Sequence, residues 1–80
     1  MLTMMLKLIT SAKQPIEIDI HHDDTLKSIK RLVYDESGIL PKHQRLIWRR
    51  RVMYNTRMSA KDYGMVSGSE VRLILLNTSY

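Results

Sequence analysis

Two short clusters hold the residues with the most obvious chemistry, and the first of them reads His21-His22-Asp23-Asp24. Imidazole and carboxylate groups bind metal ions. Neighbouring residues in an extended segment point to opposite faces, however, and no fourth ligand is spaced to complete a site. We therefore interpret the cluster as a polar loop before a helix, with Asp24 or Thr25 as the capping residue. We predict no metal site and no cofactor.

The second cluster is Arg49-Arg50-Arg51. Adjacent guanidinium groups suit phosphate oxygens, so nucleic acid is one candidate ligand. Proteins that bind single strands interleave several aromatic residues with basic ones, whereas only Trp48 and Tyr54 flank this cluster. An acidic protein segment is the favoured partner, and nucleic acid is the less favoured alternative.

Basic residues are concentrated in the second half of the chain. The formal net charge is +5, with eight Lys and Arg against two Asp and Glu in residues 41–80 and five against six in residues 1–40. This asymmetry predicts an acidic or anionic partner on one side of the domain. No spacing places a nucleophile beside an oriented base, so we predict no catalytic residues and no enzymatic activity.

Composition suggests one small domain in a reducing compartment. The 80 residues include no cysteine, which excludes disulfides and thiol chemistry. No apolar run approaches the roughly 18 residues of a membrane span, and the opening MLTMMLKLI lacks the pattern of a cleavage site. We expect residues 1–80 to form a monomeric domain of the cytoplasm or nucleus with no membrane contact, having its core in residues 4–76 and a tail in residues 77–80.

A helix is predicted from Leu26 to Ser37, because Leu26, Ile29 and Val33 share one helical face. Gly38 can adopt the left-handed conformation that ends it. Such a helix needs a sheet to cover its apolar face, since an isolated helix of this length is marginal in water.

Alternation with period two predicts the strands of that sheet. Two form a first hairpin, a third runs from Gln44 to Trp48, a short one lies around Val52 and Met53, and a last one follows a turn at Asp62-Tyr63-Gly64, with one turn of 3₁₀ helix as an option before it. The segment Ile39-Leu40-Pro41 is expected to be extended. The inward-facing residues are Met4, Leu6, Leu8, Ile16, Ile18, Ile20, Leu46, Val71, Leu73 and Leu75.

If the first and last strands are central and parallel, every apolar face closes on the helix. The predicted fold class is α+β, a mixed sheet of four to five strands packed on one helix.

The order and spacing of these residues resemble ubiquitin and the ubiquitin-like family from about Met4 to Leu76. The resemblance implies the β-grasp fold, no enzymatic activity and function by surface recognition. It is carried by Asp24-Thr25-Leu26, Ile29-Lys30, Glu36-Ser37-Gly38-Ile39, Pro41, Gln44-Arg45-Leu46-Ile47, Trp48, Ser59, Asp62-Tyr63 and Ser69-Glu70-Val71-Arg72-Leu73.

The carboxyl-terminal sequence departs from the conjugated members of this family. Those members end in Gly-Gly, whose carboxylate is activated and transferred, whereas no glycine follows Gly68 here and the sequence ends Leu75-Leu76-Asn77-Thr78-Ser79-Tyr80. We therefore expect a non-conjugable protein, either stand-alone or the ubiquitin-like domain of a longer chain.

Ubiquitin binds most partners through an exposed apolar patch, and the resemblance places the centre of that patch at Ile47 and Ile74. Alternation puts both side chains on the solvent side of adjacent strands. Two other patch positions are changed, to Ser11 and Arg72. We predict a narrow protein-binding patch, with Trp48 either packing over arginine side chains or anchoring a partner. Its basic rim would consist of Arg45, Arg49, Arg50, Arg51 and Arg72.

The partners implied by the resemblance are ubiquitin-binding domains, a proteasome receptor or a deubiquitinase. An alternative follows from a smaller branch, the Hub1-like proteins, which also lack Gly-Gly and act non-covalently on splicing factors. Asp23-Asp24-Thr25 and Lys30-Arg31-Leu32 resemble that branch, and Asp24 would then belong to the binding surface.

Two further departures bear on stability. Arg49-Arg50 replaces a turn in which the family uses a small residue and a glycine with positive φ, so we expect a strained or reshaped turn. Lys30 matches a lysine that family members bury against an acid, but Asn55 lies near the position of that acid. Either another carboxylate contacts Lys30 or its ammonium reaches water.

Overall fold

The computed structural model describes residues 3–10 and 14–76, which form one sheet packed against one long helix. The strands are ordered β2-β1-β5-β3-β4, with β1 and β5 parallel and the other neighbouring strands antiparallel. This architecture confirms the predicted α+β β-grasp fold. Along the chain the elements are β1 (Thr3–Ile9), β2 (Ile16–His21), α1 (Leu26–Ser37), a 3₁₀ turn (Pro41–His43), β3 (Gln44–Trp48), β4 (Arg51–Met53), α2 (Ala60–Tyr63) and β5 (Ser69–Leu75).

Helix α1 has the boundaries that its sequence predicted. The Thr25 hydroxyl accepts the Ser28 backbone N–H at 3.3 Å and caps the first turn. At the other end Gly38 has φ 77° and donates its N–H to the Tyr34 carbonyl at 2.8 Å. The face that packs on the sheet consists of Leu26, Ile29 and Val33, all fully buried. No helix in the described part of the chain is long and apolar enough to cross a membrane.

The inner face of the sheet completes the core, with one exception among the predicted residues. Leu6, Leu8 and Val71 of the central strands are fully buried. Leu75 was predicted to face inward, but 64% of it is exposed. It is the last residue of β5 and lies opposite Gln44, the first residue of β3, so it projects at the end of the sheet, where little covers it.

Two short helical turns differ from the predicted backbone. Pro41 begins a 3₁₀ turn rather than continuing the extended segment, because its fixed φ suits a first helical position. Ala60–Tyr63 is one turn of α-helix, held by a capping box in which Ser59 and Asp62 each accept the other's backbone N–H at 3.1 Å. Four residues are too few to show a helical period in the sequence.

The Lys30 ammonium binds a backbone carbonyl rather than a carboxylate. Its ammonium donates to the Gln44 carbonyl at 3.2 Å, and the buried Gln44 amide donates back to the Lys30 carbonyl at 3.0 Å and to the Ile39 carbonyl at 2.8 Å. Burial lowers the pKa of Lys30 from its usual 10.5. The charged form of Lys30 is therefore disfavoured in the folded state.

This lowered pKa predicts that stability rises as the pH increases towards 10.5. Over that range the unfolded chain binds more protons at Lys30 than the folded chain does, so raising the pH favours folding. Urea unfolding at pH 8 and pH 10 should show the rise in wild type, and Lys30→Met should reduce it. Lys42→Met, which removes an exposed lysine, is the control variant.

Comparing variants also removes the effect of Tyr63. Burial raises the pKa of Tyr63. The contribution of Tyr63 to folding stability is therefore present below pH 10 and is lost as the pH rises above that value, which is opposite to the effect of Lys30. This term is common to all three proteins and cancels in the differences. An unchanged pH slope in Lys30→Met would contradict the assignment to Lys30.

The β3-β4 turn holds two arginines in the left-handed region. Arg49 and Arg50 have φ 52° and 68°, and Trp48 pairs directly with Arg51, so the connection is a two-residue turn of the I′ type. Such turns favour Asn-Gly, and a left-handed non-glycine residue costs roughly 1 kcal/mol or more. The predicted strain is confirmed.

Arg50→Gly is therefore expected to raise the free energy of unfolding by about 1 kcal/mol. Glycine adopts positive φ without a Cβ clash, and this substitution leaves Arg49 in place. Chemical denaturation measures the gain. Arg57→Gly is the control, because Arg57 is exposed, carries the same charge and does not have positive φ. If both variants gained equally, relief of charge repulsion rather than of backbone strain would be the cause.

Candidate protein-binding surface

Ile47 and Ile74 lie on the outer face of the sheet, the face opposite α1. Ile47 pairs with Arg72 of β5, and Ile74 pairs with Arg45 of β3. The two isoleucines are therefore diagonal neighbours across adjacent strands, within reach of each other on the same face. Ile74 is 37% exposed and Ile47 is half-buried. The structure thus brings the two predicted residues together on an accessible surface.

Val52 is a third apolar side chain on this surface, and the sequence analysis missed it. It pairs directly with Ile47 across the β3-β4 hairpin and is 42% exposed. The spacing of the two-residue turn contained the signal, since pairing Trp48 with Arg51 places Val52 opposite Ile47. Half-buried Ile9 of β1 lies beside Arg72 and extends the surface. We call Ile9, Ile47, Val52 and Ile74 the outer-face patch.

Four of the five predicted rim arginines lie beside this patch. Arg45 and Arg72 are exposed and alternate with Ile47 and Ile74 in the β3-β5 pairing. Arg49 and Arg50 line a shallow depression with Ile9, Ile47, Glu70 and Arg72. Glu70 adds an acid to a rim that was expected to be purely basic. The patch is thus an apolar centre within a largely positive border.

Arg51 and Trp48 lie on the other side of the hairpin. They pair with each other, and because strand residues alternate they face away from Ile47 and Val52. The Trp48 ring packs against the core and its indole N–H donates to the Tyr63 carbonyl at 3.2 Å, while Arg49 Cζ lies 5.1 Å from its centroid. Trp48 therefore packs under an arginine, and neither Trp48 nor Arg51 belongs to the outer-face patch.

The two remaining predicted binding residues are Ser11 and Asp24. Ser11 lies outside the described residues. Asp24 accepts the His21 backbone N–H through its carboxylate at 2.8 Å, and its carbonyl accepts the Ala60 N–H at 2.8 Å. Asp24 thus holds the loop before α1 against α2. Within residues 3–10 and 14–76, no group of three or more His, Asp or Glu side chains could hold a metal ion.

Comparison with known proteins identifies the family. A profile of the ubiquitin family matches residues 6–77 of this chain. The chain belongs to the ubiquitin family. The resemblance expected from the sequence is thereby confirmed, and members of this ubiquitin family generally interact with proteins and are generally not enzymes.

Several relatives match almost the whole ubiquitin-like chain. NEDD8-like protein RUB3 of Arabidopsis thaliana is 32% identical over 72 residues, which cover 90% of this chain and 91% of the relative. Ubiquitin-like protein NEDD8 of Dictyostelium discoideum is 36% identical over 72 residues, which cover 90% and 92%. Ubiquitin-like protein 1 of Schizosaccharomyces pombe is 35% identical over 72 residues, which cover 90% and 91%.

A solved structure agrees with the fold of this ubiquitin-like chain. The ubiquitin of Caldiarchaeum subterraneum has a TM-score of 0.86 to the present structure and covers 98% of this chain and 99% of its own. Its sequence identity is 18%, so this similarity supports the fold alone.

Proposed function

We propose that this ubiquitin-family chain is a non-covalent protein-interaction module that binds partners of the ubiquitin and proteasome pathway through its outer-face patch. The supporting observation is that Ile47 and Ile74 are diagonal neighbours in the β3-β5 register, with Val52 opposite Ile47, on an accessible sheet face. Ubiquitin-recognising helices and domains have apolar faces that suit such a centre. The partners are ubiquitin-binding domains, a proteasome receptor or a deubiquitinase.

The rim arginines supply steering and specificity in this proposal. Charges at the edge of an interface mainly change the association rate and its dependence on salt. Arg45 and Arg72 are exposed and adjoin the isoleucines, so they favour partners whose apolar face is bordered by Asp and Glu. The same arginines disfavour partners with a basic border.

Docking through the outer face requires no particular carboxyl terminus. The expectation that the chain is not conjugated remains a prediction, as does its location in the cytoplasm or nucleus. The Hub1-like alternative also remains a prediction, and the Asp24 carboxylate on which it relies accepts the His21 backbone N–H at 2.8 Å.

Chemical-shift mapping tests the proposal directly. Titrating ¹⁵N-labelled protein with a panel of isolated ubiquitin-binding domains should shift the amides of β3, β4 and β5 around the outer-face patch. Association should slow several-fold between low salt and roughly 0.5 M salt, because screening shortens the range of the arginine charges. Shifts confined to α1, or no binding across the panel, would contradict the proposed function.

A further inference from the structure

A groove runs along the free edge of the sheet, beside the β3-β4 hairpin, and it borders the outer-face patch at Val52. It has a volume of about 970 Å³ and lies between β4 and α2. Its lining includes Trp48, Arg51, Tyr54, Met58 and Tyr63, together with Val52 of the outer-face patch and Arg49 of its rim. We call it the edge groove. The proposed function uses Val52 and Arg49 but none of the other lining residues.

The backbone beside this groove is suited to pair with another strand. β4 is the last strand of the sheet order, so one of its sides has no neighbouring strand from residues 3–10 and 14–76. Trp48 and Arg51 close a two-residue turn, and in such hairpins the closing pair exchanges both backbone hydrogen bonds. The next residue, Val52, therefore points its N–H and C=O away from β3. An extended peptide could add a strand at this position.

The edge at β4 is only partly protected. Short strands, charged side chains, proline and bulges commonly blunt sheet edges, and β4 has three residues and one arginine but no lysine or proline. Here Val52 is 42% exposed and the next residue after the strand, Tyr54, is 82% exposed. Tyrosine presents a large apolar surface with a polar tip and is enriched in protein interfaces. This edge thus combines free backbone groups with an exposed aromatic anchor.

The charge of the groove selects an acidic ligand. Its charged lining residues are Arg49, Arg51 and Asp62. The Asp62 carboxylate accepts the Ser59 N–H at 3.1 Å in the cap of α2, and the two arginines outnumber it, so the lining has a net positive charge. The arginines are exposed, and Arg51 lies on the strand face that turns towards the groove. The groove therefore complements carboxylates.

The aromatic residues favour a peptide over nucleic acid. The Trp48 ring lies under the Arg49 guanidinium, with Cζ 5.1 Å from the ring centroid, and its N–H donates to the Tyr63 carbonyl. The Tyr63 hydroxyl accepts the Asn55 backbone N–H at 3.2 Å and donates to the Asn55 carbonyl at 3.1 Å. Two of the three aromatic rings are thus committed to the fold. Tyr54 alone is a poor platform for successive bases.

We propose that the edge groove binds an extended acidic segment of a partner protein, which pairs with β4 and directs carboxylates to Arg51 and Arg49. This would be a second interaction surface, which adjoins the outer-face patch at Val52. One partner could engage both surfaces at once, because they meet at Val52 and Arg49.

A fluorescein-labelled synthetic peptide of alternating glutamate and valine provides the test, with affinity measured by anisotropy. We expect saturable binding that weakens at least about tenfold in Arg51→Glu and falls with added salt. Lys42→Glu makes the same charge change at an exposed residue next to the opposite end of β3 and should stay within about twofold of wild type. Two further peptides should carry N-methyl groups on alternate backbone amides, one on the odd-numbered and one on the even-numbered residues. Only one of these two peptides should lose binding, because only one set of amides faces β4.

Three outcomes would overturn the proposal. They are no binding of the peptide at about 1 mM, equal binding of both methylated peptides, and tighter binding of a single-stranded oligonucleotide that competes with the peptide. The Ile47→Ala, Ile74→Ala double variant should still bind the peptide, whereas Arg51→Glu should still bind ubiquitin-recognising domains. Failure of the edge groove can thus be told apart from failure of the proposed function.

Discussion

Replacing Ile47 and Ile74 together by alanine is expected to weaken binding to ubiquitin-recognising domains by about 100-fold or more. These side chains form the apolar centre of the outer-face patch, and central apolar residues carry most of the binding energy of an interface. The measurement is titration of the best-binding domain found by shift mapping. Val52→Ala should give a smaller loss, because Val52 lies opposite Ile47 at the side of the patch.

The double variant must remain folded if its loss of affinity is to be assigned to the patch. Both isoleucines are only partly buried, so truncating them should together lower the free energy of unfolding by about 1–2 kcal/mol, much less than a core deletion. Val66→Ala is the matched control, since Val66 is 65% exposed but lies in the loop before β5. Wild-type affinity in the double variant would remove the patch from the proposed function.

Ile29→Ala should have the largest effect on stability, lowering the free energy of unfolding by about 3–4 kcal/mol. Ile29 is fully buried at the middle of the apolar face of α1, and its truncation leaves a cavity between helix and sheet. A domain of this size is typically stable by only about 4–12 kcal/mol, so the loss is a large share of the total. Urea unfolding followed by far-UV circular dichroism measures it.

The control for Ile29→Ala is Lys27→Ala, an exposed residue on the same helix. Alanine is the better helix former, so this variant should lie within about 0.5 kcal/mol of wild type. A similarly small effect of Ile29→Ala would mean that helix packing contributes little to the stability of this fold. That result would contradict the arrangement of sheet and helix described above.

Local sequence patterns predicted most of the fold, because each pattern reflects a single secondary-structure element and does not depend on the others. Helical spacing, a threonine cap and a terminal glycine were enough to define α1 to the residue. Period two was enough to assign β1, β2 and β3. Leu75 marks the limit of that pattern, since alternation states which face a residue is on but not whether another element covers that face.

Recognition surfaces were harder to predict, because they combine residues that are distant in sequence. Ile47 and Ile74 came from a family resemblance and from alternation, and pairing of β3 with β5 made them neighbours. The arginine run looked like one basic cluster. In the structure the hairpin divides it, since Arg50 faces the outer depression and Arg51 the edge groove. Val52 was missed although the two-residue turn sets the hairpin register that pairs it with Ile47.

The sequence by itself determined that this chain folds as one helix on a mixed sheet and belongs with ubiquitin-like proteins. Hydrophobic period, capping residues and turn residues act over a few positions, so they can be read without knowing the rest of the structure. Tertiary structure decided which side chains share a surface: Ile47 beside Ile74, Arg51 in the edge groove, and Lys30 on a backbone carbonyl. Strand register and sheet order set those contacts, and both depend on the packing of the whole chain.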